Sequence, residues 1–306
     1  MSSPAHAPSD HRLLRLATHA AVAVAVLLTL VKLAAWLSSG SVALMSSMVD
    51  SLLDCLASSL NWLAVRHALS PPDRDHRFGH AKAEPLAGLG QAMFVGGSAV
   101  FLLYESAQRL LHPAPLGQTG PGIAVMVLAI ALTAALVVLQ RRAIAATGSI
   151  AISADSLHYV GDLLANLAVI VALVLASKPG WLWLDPAMAA CIAVLILSSA
   201  WQIVGKACNQ LMDRELSEAE RSRILTIAVD HPHVKAVHDL RTRRAGMRTF
   251  IQLHLEMDPN LALIEAHHIA DEVERAILVA FPKAEVIIHQ DPAGLSESHL
   301  SLAHTP

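Results

Sequence analysis

The 306 residues are 54% hydrophobic and only 15% charged, with a mean hydropathy of +0.50, too apolar for an ordinary soluble domain of this length. A formal net charge of −3 leaves no basic footprint for nucleic acid. Cys55, Cys191 and Cys208 are isolated thiols without C-x-x-C spacing, which excludes a disulfide framework and a thiolate zinc site.

The composition is that of a polytopic membrane protein, and six spans can be drawn along it. The polar 1–12 segment has no A-x-A cleavage exit, so the first span, about 13–36, is expected to stay on the chain. The others fall at about 42–66, 85–110, 121–140, 147–177 and 181–206. Uninterrupted charge-free runs at 85–104, 121–140 and 186–205 anchor three of them. The turn Ser38-Ser39-Gly40-Ser41 separates the first pair, and Pro113, Pro115, Gly117 and Gly120 break the third from the fourth. Arg12, Arg15, Arg66, Arg74, Arg77, Lys82, Arg141, Arg142, Lys206 and Arg214 lie on one set of connections, against Arg109 and Lys178 on the other. The positive-inside rule then places both termini in the cytoplasm.

The second and fifth spans differ from the rest. Asp50 and Asp54 sit one helical turn apart in an apolar stretch, and His158 and Asp162 repeat that spacing. Charge at bilayer depth costs at least about 2.5 kcal/mol per group unless paired or ligated, so these acids are functional candidates. Three carboxylates and one imidazole are four N/O ligands, the number tetrahedral Zn²⁺ prefers. Asp155 shares the face of His158 and Asp162 and is read as a support behind the ligands or a residue at their entrance.

Beyond Met212 charges become frequent over 213–291. Ser217 and Glu220 have capping-box spacing for a helix at about 217–230. Strands are expected at 234–243 and 247–257 around Gly246, with Ile251, Leu253 and Leu255 alternating against Gln252, His254 and Glu256. A helix at 261–281 and a strand at 285–289 complete an αββαβ order, a ferredoxin-like α+β domain. The 292–306 tail reads as disordered.

With these residues in place, the chain resembles the cation diffusion facilitator family over about 12–291, and in particular its bacterial ferrous-iron and zinc efflux branch. The stretches carrying the resemblance are V-D-S-L-L-D at 49–54, D-H-R-F-G-H-A-K-A-E at 75–84, D-S-L-H-Y-V-G-D at 155–162 and I-I-H-Q-D-P at 287–292. It implies a homodimeric antiporter of the cell inner membrane that exports divalent metal from the cytoplasm against protons, with no cofactor. It also implies a loop metal site at Asp73, His76 and His80, whose spacing can chelate one ion. A further site is implied at His238, His254, His267, His289 and Asp291 in the cytoplasmic domain, as is a charged interlock between Lys82 and Asp213. The connection 141–148 has no histidine-rich run, unlike vesicular zinc transporters of the family.

A membrane-embedded metalloenzyme would need an open coordination position, and no H-E-x-x-H occurs. A metal-sensing channel remains the rival that residues alone do not separate. Histidine with three carboxylates suits Zn²⁺, Fe²⁺, Cd²⁺ or Co²⁺. Zinc is the first choice, because a histidine at position 158 accompanies zinc in the family.

Overall fold

The computed structural model describes residues 8–39, 42–111, 120–175 and 183–294. The expected break at Gly40-Ser41, the prolines and glycine between 112 and 119, Lys178, and most of the N-terminal segment and C-terminal tail lie outside them. The chain divides into two compact units, with the change at Met212 and Asp213.

The first unit is six long helices: α1 (Pro8–Ser39), α2 (Val42–Ala68), α3 (Ala83–Leu111), α4 (Gly120–Thr147), α5 (Ile150–Leu175) and α6 (Leu184–Leu211). Among the described residues five stretches are long and apolar enough to cross a bilayer, namely His11–Ser38, Ser47–Ala68, Ala83–Leu111, Val125–Thr147 and Pro186–Leu211. This is a multi-pass membrane protein. The helix outside that set is α5, whose first half carries Ser153, Asp155, Ser156, His158 and Asp162. Its second half continues as the charge-free run 163–175.

Helix α4 continues past the paired arginines at 141 and 142, because Ala143, Ile144, Ala145 and Ala146 sustain it. It stops where Gly148 takes a φ of 66°, the left-handed geometry of a helix C-terminus. Helix α5 restarts at once: Ser149 Oγ accepts from the Ile152 N–H at 3.2 Å, and Glu84 Oε1, on α3, accepts from the Ile150 N–H at 3.1 Å. Two free N–H groups of the α5 N-terminus are thereby met by oxygen. α3 packs against α6 and α5, and α1 against α2 and α4.

The second unit has the order α7 (Glu218–Val229), β1 (Ala236–Ala245), β2 (Arg248–Met257), α8 (Leu263–Ala280) and β3 (Ala284–Pro292). Its capping box is complete: Glu220 N–H donates to Ser217 Oγ, and Ser217 N–H to Glu220 Oε2. The sheet order is β1-β2-β3, with β1 and β2 antiparallel and β2 and β3 parallel. Ile251, Leu253 and Leu255 bury one sheet face with Ile224 from α7 and Val273 and Ile277 from α8. The alternate residues of β2, His254 and Glu256 among them, therefore occupy the opposite face.

α3 and α5 approach most tightly at Gly88, where an added Cβ would stand 2.8 Å from Ile150 Cγ2 and 3.0 Å from the Ile150 carbonyl carbon. Since backbone there cannot yield cheaply, Gly88→Ala is expected to destabilise the bundle by about 1–3 kcal/mol. A lowered Tm of the detergent-solubilised protein checks this.

Candidate metal centre

α2 and α5 present their polar residues to each other at mid-length. His158 Nε2 donates to Asp54 Oδ1 at 2.7 Å and lies 3.6 Å from Asp162 Oδ2. Asp54, His158 and Asp162 each offer a ligand atom within 4.8 Å of the others, a spread one ion can collect. Asp50, one turn earlier on α2, is exposed and stands outside that group, although its charge acts on Asp162.

The loop between α2 and α3 gathers Asp73, His76 and His80. Asp73 Oδ1 is 3.2 Å from His76 Nδ1, and Oδ2 is 3.2 Å from His80 Nε2. Asp73 Oδ1 also accepts from the backbone N–H of His76 at 2.6 Å and of Asp75 at 3.0 Å. The His76 amide foremost holds this carboxyl below its usual range. Gly79, with a φ of 82°, supplies the left-handed turn that brings His80 back beside His76.

In the second unit the strand register does the gathering. His238, His254 and His289 are paired across β1, β2 and β3 in one row, and Glu256 pairs with Asp291 two residues on. Asp291 is their common acceptor. Its Oδ2 is 2.8 Å from His254 Nδ1 and 3.3 Å from His238 Nε2, and its Oδ1 is 3.1 Å from His289 Nε2. His238, His254 and Asp291 meet the geometry for one ion. His267 lies apart from that group, on α8, 3.7 Å from Asp271. Of the other expected pair, Lys82 donates to the Leu211 carbonyl at 3.4 Å and Asp213 is 3.3 Å from an Arg243 nitrogen.

Comparison with known proteins decides the family. The model of the cation efflux transmembrane domain matches residues 18–212, and that of the cation efflux protein cytoplasmic domain matches residues 216–293. The chain belongs to the cation efflux family, the cation diffusion facilitators. It is 51% identical to the cation-efflux pump FieF of Shewanella oneidensis, over 91% of this chain and 94% of that protein. With FieF of Salmonella choleraesuis it shares 47% identity over 93% and 94%. A solved structure of CzrB in its zinc form is 39% identical over 28% of this chain and 98% of that one, with a TM-score of 0.26. Membership places the chain among transporters rather than enzymes.

For a cation efflux protein, two further features stand out, of which sequence reading singled out Asp155 but not Lys32. The first is Lys32 on α1. Its Nζ donates to Ser51 Oγ at 2.6 Å and to the Ser47 carbonyl at 3.2 Å, and the charges of Asp54, Asp162 and Asp50 all act on it. The signal was available, since an ionisable residue inside an apolar span was the same cue that selected Asp50.

The second is a buried network centred on Asp155, which is 1% exposed and so cannot lie at an entrance. Its oxygens accept from Gln91 Nε2 on α3 at 2.8 Å, Gln140 Nε2 on α4 at 2.7 Å and Ser58 Oγ on α2 at 3.2 Å. Ser58 Oγ also lies 2.8 Å from Tyr159 Oη, which donates to the Ala21 carbonyl of α1 at 3.4 Å. One carboxylate thus links α5 to three helices directly and a fourth through Tyr159. Asp155→Ala leaves the buried Gln91 and Gln140 amides unmet, at about 1–3 kcal/mol each. A lowered Tm in detergent is expected, with Asp155→Asn intermediate because its one oxygen still accepts.

Proposed function

We propose that the protein exports divalent transition metal, Zn²⁺ first, from the cytoplasm across the cell inner membrane in exchange for protons. It acts as a homodimer with both termini cytoplasmic and α5 as the sixth crossing. The transport site is Asp50, Asp54, His158 and Asp162. The observation that carries the reading is the convergence of Asp54, His158 and Asp162 from two apolar helices within 4.8 Å, in a chain 51% identical to a cation-efflux pump.

Charge explains the exchange. Two positive charges on the metal and one on Lys32 match the three carboxylates, so a loaded site is neutral in the membrane. Without metal the same groups carry excess negative charge, and protons must supply the balance before the empty site can turn. His158 is suited to carry one of them, because a ligating imidazole is neutral and a metal-free one can be protonated. The site then faces each side in turn by rocking of helices around it. Asp73, His76 and His80 serve as a loop metal site. His238, His254, His289 and Asp291 form a structural metal site in the cytoplasmic domain, to which His267 contributes after moving.

Asp54→Ala and Asp162→Ala are each expected to abolish Zn²⁺ flux in proteoliposomes under an opposing pH gradient, while size-exclusion chromatography shows a folded dimer. Wild-type flux in either variant would overturn the site. Metal entry as a current that moves no protons would instead establish a channel.

Lys32→Met leaves the loaded site with a net negative charge. It is expected to tighten Zn²⁺ binding about tenfold or more, from the loss of one repulsive charge in a partly dry site, and to slow turnover. Calorimetric titration read beside flux checks both, and Lys32→Arg is expected to retain wild-type binding.

A further inference from the structure

We propose that His67 is a fourth ligand of the loop site, completing an N₃O tetrahedral zinc site with Asp73, His76 and His80. The proposal rests on the reading of those three residues as a metal site and adds to it a residue from the last turn of α2.

Chain geometry keeps His67 beside the loop. Beyond α2 the backbone continues through a Leu69 N–H bond to the Val65 carbonyl at 3.1 Å and a Ser70 N–H bond to the His67 carbonyl at 2.9 Å. The loop then folds back through Gly79 to His80. As a result the His67 and His80 ring centroids are 4.4 Å apart with planes tilted by 58°, and those of His76 and His80 are 4.6 Å apart with a 46° tilt. His80 is flanked by imidazoles on both sides.

The nitrogens of His80 are unequally satisfied. Nε2 faces Asp73 at 3.2 Å, whereas Nδ1 is buried without a hydrogen-bond partner. An inward ring with one unmet nitrogen, set between two further imidazoles and a carboxylate, is the donor chemistry of zinc. His67 itself is exposed. Its ring can therefore reorient about χ1 and χ2 without disturbing a core, and this movement turns the ring cluster into a ligand set. Three ligands would leave a coordination position to water, whereas four close the site, as structural zinc sites are closed. A closed site would clip the end of α2, the helix that carries Asp54, to the residues that open α3.

The test is a titration of full-length protein in detergent with Co²⁺, whose visible absorption separates four-coordinate from higher coordination, followed by Zn²⁺ competition. Wild type, His67→Ala and the double variant Asp73→Ala/His80→Ala are compared. The double variant is expected to lose one bound ion. His67→Ala is expected to keep that ion but to hold it at least about tenfold more weakly, with loss of the share of tetrahedral Co²⁺ absorption that the double variant also loses. If the double variant loses an ion while His67→Ala matches wild type in affinity and spectrum, the site has three protein ligands and the proposal is overturned. If the double variant loses none, the loop-site reading fails and the proposal with it. Circular dichroism of each variant identifies any loss from misfolding, and His67→Gln, which keeps size without ligating strongly, is expected to reproduce His67→Ala.

Discussion

An imidazole and a carboxylate meet at 2.7 Å between two membrane helices, and much of the transmembrane unit is arranged around that contact. Neither group is tolerable alone at bilayer depth. Each needs the other, and Lys32 on α1 adds a positive charge that acts on Asp54, Asp162 and Asp50.

Holding Asp54 and His158 in register falls to polar contacts outside their group. Asp155 stands one turn from His158 on the same helix and ties α5 to α2, α3 and α4. Helix α5 is also fixed at its start by Glu84 from α3. Between lipid-facing helices there is little hydrophobic gain from association, so buried hydrogen bonds and close packing at small residues set the geometry. Gly88 at the α3–α5 crossing is the packing half of that scheme, and the Asp155 network is the hydrogen-bonding half.

The second unit solves a similar problem by strand register. A parallel pair and an antiparallel pair bring one histidine from each strand into a single row, with the buried carboxylate of Asp291 two residues beyond. One register step in β3 would turn both His289 and Asp291 to the opposite face. Burial of Ala284 and Val286 at 2% and 9% exposure makes such a slip of β3 costly, so the hydrophobic core secures the face that carries His289 and Asp291 without contacting it.

Much was determined by residue pattern alone. Apolar runs marked the helices, the turn spacing of Asp50 with Asp54 and His158 with Asp162 marked the ligand faces, and alternation in β2 separated core from open face. These are periodicities, local in the chain and readable without coordinates. What only the tertiary structure decided is which faces meet, because contacts between helices depend on rotation and crossing, which no local pattern encodes. It drew Asp54 to His158 but left Asp50 outside their group, and set His267 away from the His238, His254 and Asp291 cluster. It extended α4 to Thr147, made Asp155 a buried hub rather than an entrance, bonded Lys32 to Ser51 on α2 and set His67 beside His80. For Asp54, Asp155 and Lys32 the residue type announced chemistry, and the partner came from another helix.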